Sequence, residues 1–474
     1  MFLPAIWLAT QAETRFEPAQ LQADLQVMKR VMTALHPGLT RYLTPTQLDE
    51  QWAKLGRLFE KPLNAREVYL SLSRFTGSLR CGHSYVNFYN QSDDLKRVVF
   101  NGNDKVPFTF LLVGDRMLVE KSATPEVKAG DEITEIGGKS ISSIIKELLP
   151  FVKADGSNDG KRRYDLQISG AGEFETFDIF FPLMFPPDDG KYAVKVNGSA
   201  KAVILNTISR KDRKEKLKIS ESGDPVADSW SDKILPDGTA YLQVGTFAIW
   251  KWKVDWKTKL DDFFTSLQTE KRERLVIDLR GNEGGADEVG SQILSYLTPK
   301  YLPSAAAIKK IRFDKVPEDL RPYLNTWDPS FYDFSKSVKP SEDGMFFLNE
   351  FELRSGVSPR ENRFAGQVAI LIDAGNSSAT FYLARAAKAN TLAILVGSTT
   401  GGNLRGLNGD KFFFFTLPNT KIEIDIPIVA NYLDTNAPDS GLEPDVSVSP
   451  TLDDVRAGRD VVLEKAVEVL KKTG

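Results

Sequence analysis

A serine stands where an apolar run gives way to an alanine-rich helical stretch. The segment reads Val368-Ala-Ile-Leu-Ile-Asp373-Ala-Gly-Asn376-Ser377-Ser378-Ala379-Thr-Phe-Tyr-Leu-Ala-Arg-Ala-Ala-Lys388. The first N–H groups of a helix have no acceptor inside it, and the positive end of its dipole lies there. A hydroxyl at that junction can attack a carbonyl while the developing oxyanion is held beside it, which is acyl-transfer chemistry with Ser378 as nucleophile. The bland reading is that Asn376, Ser377 or Ser378 only caps the helix.

A second turn is rich in glycine: Leu275-Val-Ile-Asp278-Leu279-Arg280-Gly281-Asn282-Glu283-Gly284-Gly285-Ala286. Glycines let main-chain N–H groups converge on a ligand. A phosphate loop needs a Gly-Lys-Ser/Thr ending, which is absent, and the dinucleotide fingerprint spacing also fails. The turn is therefore either structural or half of an oxyanion hole, with Gly284 or Gly285 joining Ala379 as main-chain donors. A third loop, Gly397-Ser-Thr-Thr400-Gly401-Gly402-Asn403-Leu-Arg405-Gly406, could line a substrate cleft through Gly401, Gly402 and Asn403, or merely turn the chain. In the turn-rich Asp434–Val446 stretch one of several carboxylates could orient a histidine or polar group, while most are solvated turn residues.

A base must come from few candidates. The chain has two histidines, His36 and His83, and one cysteine, Cys81. His36-Pro-Gly reads as a helix terminator. His83, in Arg80-Cys81-Gly82-His83-Ser84-Tyr85-Val86, follows a helix and precedes what reads as an alternating strand, so it can sit at an exposed edge. Disulfides are excluded, and so is a zinc site built mainly of His and Cys. No metal or organic cofactor is called for. A net charge of −3 over 474 residues carries no electrostatic footprint for nucleic acid or anionic membrane. No stretch approaches the ~20 apolar residues of a membrane span. Met1–Ala12 is apolar and resembles a signal peptide without its basic region, which implies export to the periplasm or the exterior; a packed tail in a cytoplasmic protein is the other reading.

The elements that must position these residues are readable from periodicity. Residues 16–95 carry helical spacing (Leu21, Leu25, Met28, Val31, Met32), with Asn64 and Glu67 as a capping box. Residues 96–225 read as short strands, including Phe108–Leu112 and Arg116–Glu120 around a Gly114-Asp115 turn. The basic run Arg210–Lys218 reads as a solvated loop closing that module. Residues 226–474 alternate strand and helix, which argues for a largely parallel sheet, with Phe412–Leu417 and Lys421–Pro427 as an antiparallel addition. Tyr301–Asn362 lacks periodicity and reads as an insertion that covers or shapes a site.

Taken together, these segments resemble the tail-specific, or C-terminal processing, serine peptidases. Asp278–Gly285, Asn376-Ser-Ser-Ala-Thr380, Val396–Gly402 and Gly441-Leu-Glu-Pro444-Asp445 match that family's motifs in order. The likeness extends to His36-Pro-Gly, Cys81-Gly-His83-Ser84 and the final Leu452–Asp460 stretch. It implies an α/β fold: a crotonase/ClpP-like catalytic core at 226–474, an N-terminal helical domain, and a PDZ-like module around Val127–Gly138. It implies peptide or unfolded-protein substrates, with Ser378 as nucleophile. Members with a serine–lysine dyad carry lysine two residues after the position of Gly401, where this chain has Asn403. The likeness is therefore to the histidine-using, tricorn-like branch, with His83 as base and Asp439 as the assisting carboxylate. The residues after Ser378 are Ala379-Thr380-Phe381, where many members have serine–glutamate after the alanine. A non-catalytic ligand- or peptide-binding protein on the same fold, and an esterase-type serine hydrolase, are the alternatives. Nothing in the sequence speaks to oligomeric state.

Overall fold

The computed structural model describes residues 15–219, 229–252, 255–303, 308–348, 356–434 and 436–472. The Met1–Ala12 segment lies outside them. The chain forms two compact units, each built from discontinuous stretches.

The described residues of Met1–Ile219, Ile308–Asn349 and Gly406–Tyr432 make the first unit. It opens with helices Pro18–Leu35, Pro45–Leu58 and Ala65–Ser78. The expected capping box is present: Asn64 Oδ1 accepts the Glu67 N–H and Glu67 Oε2 accepts the Asn64 N–H. An antiparallel sheet follows, in the order Phe108–Val113, Arg116–Ser122, Glu132–Ile136, Lys191–Val196, Val203–Asn206. A second antiparallel sheet pairs Asn408–Thr416 with Glu423–Tyr432, and Glu423–Tyr432 with Ile308–Ile311. Leu324–Asn325 adds to the free edge of Asn408–Thr416.

The core does not divide where the sequence periodicity changes. Helix residues Leu21, Met28 and Leu72, sheet residues Phe108 and Val194, and strand residues Phe413, Phe415 and Ile426 belong to one buried cluster. Tyr301–Asn362 is accordingly no featureless insertion. It supplies strands Ile308–Ile311, Leu324–Asn325, Val338–Pro340 and Phe346–Leu348, because paired edges offer its backbone the hydrogen bonds that weak periodicity concealed. The Arg210–Lys218 run is also not a solvated loop. Arg210–Lys216 is a helix, and one face of it turns Arg213 fully inward onto Asp178, Glu175 and the Val106 carbonyl. A buried guanidinium is tolerated because two carboxylates and a carbonyl meet the donors of both its terminal nitrogens.

The described residues of Ser220–Ala307, Glu350–Arg405 and Leu433–Gly474 make the second unit. Its sheet runs Val446–Ser447, Ile394–Gly397, Gln367–Ile372, Arg274–Asp278, Ala240–Val244, Trp230–Ile234. All neighbours are parallel except the last pair. The central strands are apolar throughout because both faces are covered, as parallel sheets require. Alternation then sorts them: Leu275, Ile277, Ile370 and Ile372 pack with helices Trp256–Thr269, Asp287–Leu297 and Ser378–Ala389, whereas Val276, Ala369 and Leu371 meet Val462, Ala466 and Leu470 of helix Val461–Lys472. Parallel pairing in register, with Asp278 beside Leu371 and Ile372 beside Gly397, brings the serine turn and both glycine-rich turns to one carboxyl edge of the sheet. That edge is where open parallel sheets bind their ligands.

Candidate active site

Ser378 opens its helix at φ +49°, in the left-handed region. A non-glycine residue there costs about 1–2 kcal/mol, so the surrounding contacts must hold it. The helix N-cap is Ser377, and its hydroxyl does not cap; it donates instead to the Glu283 carbonyl at 3.1 Å. Ala379 contributes one of the first N–H groups of the helix, which have no acceptor within it.

The glycine turn lies directly against this point. A Cβ on Gly284, whose φ is +104°, would stand 2.9 Å from both the Ala379 nitrogen and Ser378 Cβ. A Cβ on Gly285, at φ +137°, would stand 2.2 Å from the Phe247 carbonyl carbon. Phe247 brackets the turn: its N–H donates to the Gly284 carbonyl at 3.0 Å and its carbonyl accepts the Ala286 N–H at 2.8 Å. These bonds leave the Gly285 N–H outside the ladder. The Gly284 N–H is different, because it donates to Asn282 Oδ1 at 2.8 Å. Of the two expected glycine donors, Gly284 is thus already engaged.

Buried amides and a carboxylate lock the two turns together. Asn282 Nδ2 donates to the Val244 carbonyl at 2.8 Å, and its Oδ1 also accepts the Thr380 hydroxyl at 2.7 Å. Asn376 Nδ2 donates to the carbonyls of Leu279 and Asn282, and its Oδ1 accepts the Asp373 N–H at 2.8 Å. Asp373 accepts the Gly281 N–H at 3.0 Å and the Gly375 N–H at 2.9 Å. Sequence reasoning gave Asn282 and Thr380 no role of their own and read Asn376 as a helix cap; their signal is polarity inside a run of buried neighbours, all three being wholly buried. Asp278 and Arg280 do not face chemistry. Asp278 accepts from Tyr241 and Arg280, and Arg280 reaches on to Asp460, which pins the C-terminal helix to the sheet.

Gly401, Gly402 and Asn403 are buried rather than forming an exposed wall. The Gly401 N–H donates to the Asn376 carbonyl at 2.7 Å, and a Cβ on Gly402 would stand 2.4 Å from the Phe381 ring. Asn403 Nδ2 donates to Asp439 Oδ1 at 2.7 Å. The expected substrate loop therefore buttresses the serine turn from behind, and Asp439 serves that loop. Lys388 donates to the Glu443 carbonyl at 2.7 Å and pairs with Asp445 at 3.0 Å.

Both histidines lie in the first unit. His36 is buried; its Nδ1 accepts the Gly38 N–H at 3.0 Å, so Nε2 carries the proton to Ser84 Oγ at 2.6 Å. Burial first, then the Arg41 charge, pushes its pKa down to about 3. His83 keeps a buried Nδ1 with no hydrogen-bond partner among the described residues. Burial holds this imidazole below its usual pKa, Asp155 and Asp410 pull it up, and Lys153 and Lys161 oppose them. A lowered pKa favours the neutral ring, the state a general base needs. The segment around it is irregular and not the expected strand. Side chains anchor it instead: Asp155 accepts the Gly82 N–H at 2.8 Å, and Asp425 accepts from Asn87 at 2.7 Å and Asn90 at 3.0 Å. Among the described residues no helix is long and apolar enough to cross a membrane.

The enzyme is a serine-type peptidase, a hydrolase whose substrates are peptides or proteins. Residues 238–448 match the model described as peptidase family S41. No curated protein sequence matches the chain. Among solved structures, mature CPAF complexed with lactacystin is similar at a TM-score of 0.65 and 15% identity, covering 96% of this chain and 98% of that one. Mature CPAF alone is similar at 0.59 and 15% identity, with 96% of each chain covered. At such identity the likeness is one of fold.

Proposed function

We propose that the chain hydrolyses peptide bonds through an acyl-enzyme, with Ser378 as nucleophile and His83 as general base. The observation that carries this reading is the left-handed Ser378 set against Gly284 at the mouth of two converging turns. His83 takes the Ser378 hydroxyl proton as Oγ attacks the carbonyl carbon. The oxyanion is held by the N–H groups of Ala379 and Gly285, while Gly284 supplies the room. His83 then protonates the leaving amine, and water, deprotonated by the same ring, releases the acid.

The choice of base is supported by elimination within this chain. His36 has both ring nitrogens committed, Lys388 is held by Glu443 and Asp445, and Asn403 stands where a dyad lysine would stand. This favours the tricorn-like branch of the tail-specific family. Asp155, whose charge raises the basicity of His83, is a better-supported carboxylate partner than Asp439, which is engaged by Asn403.

The finer architecture follows the same reading: a crotonase/ClpP-like core, and a PDZ-like role for the antiparallel-sheet module within 96–225 that would present chain ends for C-terminal processing. Export is proposed on the apolar character of Met1–Ala12 alone.

The test is fluorophosphonate labelling and peptide-library hydrolysis by the wild type, Ser378→Ala and His83→Ala. Labelling of the wild type and its loss in both variants is expected. Undiminished labelling of Ser378→Ala would move the nucleophile elsewhere, and labelling without peptide turnover would favour an esterase.

A further inference from the structure

The Phe412–Phe415 run and the tryptophan at 327 have no part in the chemistry above, yet they build a surface. On strand Asn408–Thr416, alternation sends Phe413 and Phe415 into the core, both fully buried, and turns Phe412 and Phe414 to the other face, half-buried. Trp327 lies across that face. Its ring centroid is 5.8 Å from Phe412, 5.8 Å from Phe414 and 5.5 Å from Phe331. Phe412 in turn is 5.8 Å from the His83 ring. The row therefore runs His83, Phe412, Trp327, Phe414, all within the first unit.

The row is held rigidly. Leu324–Asn325, just before Trp327, pairs with Phe415 and Phe414 of the same strand, and Asp328, just after it, accepts the Ser330 N–H at 2.9 Å. Trp327 nevertheless remains 58% exposed. A fixed indole left open to water beside three other rings forgoes apolar burial worth about 25 cal/mol per Å². An added aromatic group would recover it by stacking at the spacing these rings already keep.

We propose that Trp327, Phe412 and Phe414 form a substrate subsite that takes a bulky apolar or aromatic side chain of the peptide being cleaved. The occupant is a substrate side chain because the row is continuous with His83 and the enzyme's substrates are peptides. The inference rests on the reading of His83 as the base.

The test uses the full chain and two internally quenched peptides that differ only in Phe or Ala at one position, scanned along the peptide on both sides of the cleaved bond. The wild type should favour Phe at one position. Trp327→Ala should lower kcat/KM for that Phe peptide about tenfold and lower it for the Ala peptide by no more than about twofold. Trp327→Phe should keep most of the preference. Calorimetric binding of the same two peptides to Ser378→Ala reads the subsite without turnover, so it stands even if the assignment of the base fails. Equal loss on both peptides, or no loss of preference in turnover and binding alike, overturns the proposal. So does a fall in light-scattering mass from dimer to monomer with preference intact, which would assign the face to a second copy of the chain.

Discussion

Thr380 donates its hydroxyl to Asn282 Oδ1 at 2.7 Å, and the same oxygen accepts the Gly284 N–H at 2.8 Å. One buried side chain thus sets the spacing between the turn that holds the serine and the turn that holds the glycines. Oxyanion donors act only when their geometry is set before the charge develops.

Thr380→Val keeps the shape and removes the donor. The expected loss is about 1–3 kcal/mol of stability, with kcat falling more than KM rises. Denaturant unfolding and steady-state kinetics on one peptide check both. An unchanged kcat would mean that Asn282 holds Gly284 without help.

Gly284→Ala should be nearly inactive while remaining folded. The new methyl would stand 2.9 Å from the Ala379 nitrogen, on a backbone at φ +104°, and would crowd the proposed oxyanion position. A fall of about 10²–10³ in kcat is expected, the scale of losing one oxyanion donor. Circular dichroism separates this from unfolding, and near-normal turnover would place the hole elsewhere.

The histidines predict separable pH effects. Because burial lowers the pKa of His83, kcat/KM should rise with pH through a value below 6.5 and stay level across neutrality. His36 has a folded pKa of about 3, below its unfolded value of 6.5. Its neutral, bonded state therefore contributes stability that is present above about 6.5 and lost as pH falls toward 3. His36→Asn should flatten the acid side of a Tm-against-pH curve, whereas His83→Ala should abolish turnover with little change in Tm.

Asp425 predicts the opposite sign. Burial raises its pKa to about 6, partly countered by Asn87 and Asn90, so its contribution is fully present below about 3.8 and is lost as pH rises through 6. Asp425→Asn should compare more favourably with the wild type at pH 8 than at pH 4, by on the order of 2–3 kcal/mol. Urea unfolding at the two pH values reads the difference. Equal effects at both would mean that the carboxylate is hydrated.

Much of this was legible in the sequence because it depends on neighbours along the chain. The alternation of Leu275, Val276 and Ile277, the Asn64–Glu67 capping box, the serine turn and the two glycine-rich turns are properties of spacing, and the structure keeps them. The serine-type peptidase class rested on those turns, which parallel pairing brings to one edge. Arg213 was not legible, since a basic run looks solvated until Asp178 and Glu175 fold over it. Nor was the pairing of Ile308–Ile311 with strand Glu423–Tyr432, more than a hundred positions away.

The sequence by itself determined the strongly periodic helices and strands and that a serine would stand at a helix start, because backbone preference and side-chain periodicity act over a few residues. Only the tertiary structure decided that Gly284 is engaged and Asp439 bound to Asn403, and that His36 is spent while His83 Nδ1 has no partner among the described residues. Hydrogen-bond partners and the loss of water around a ring are set by residues distant in the chain, and they exist only once it has folded.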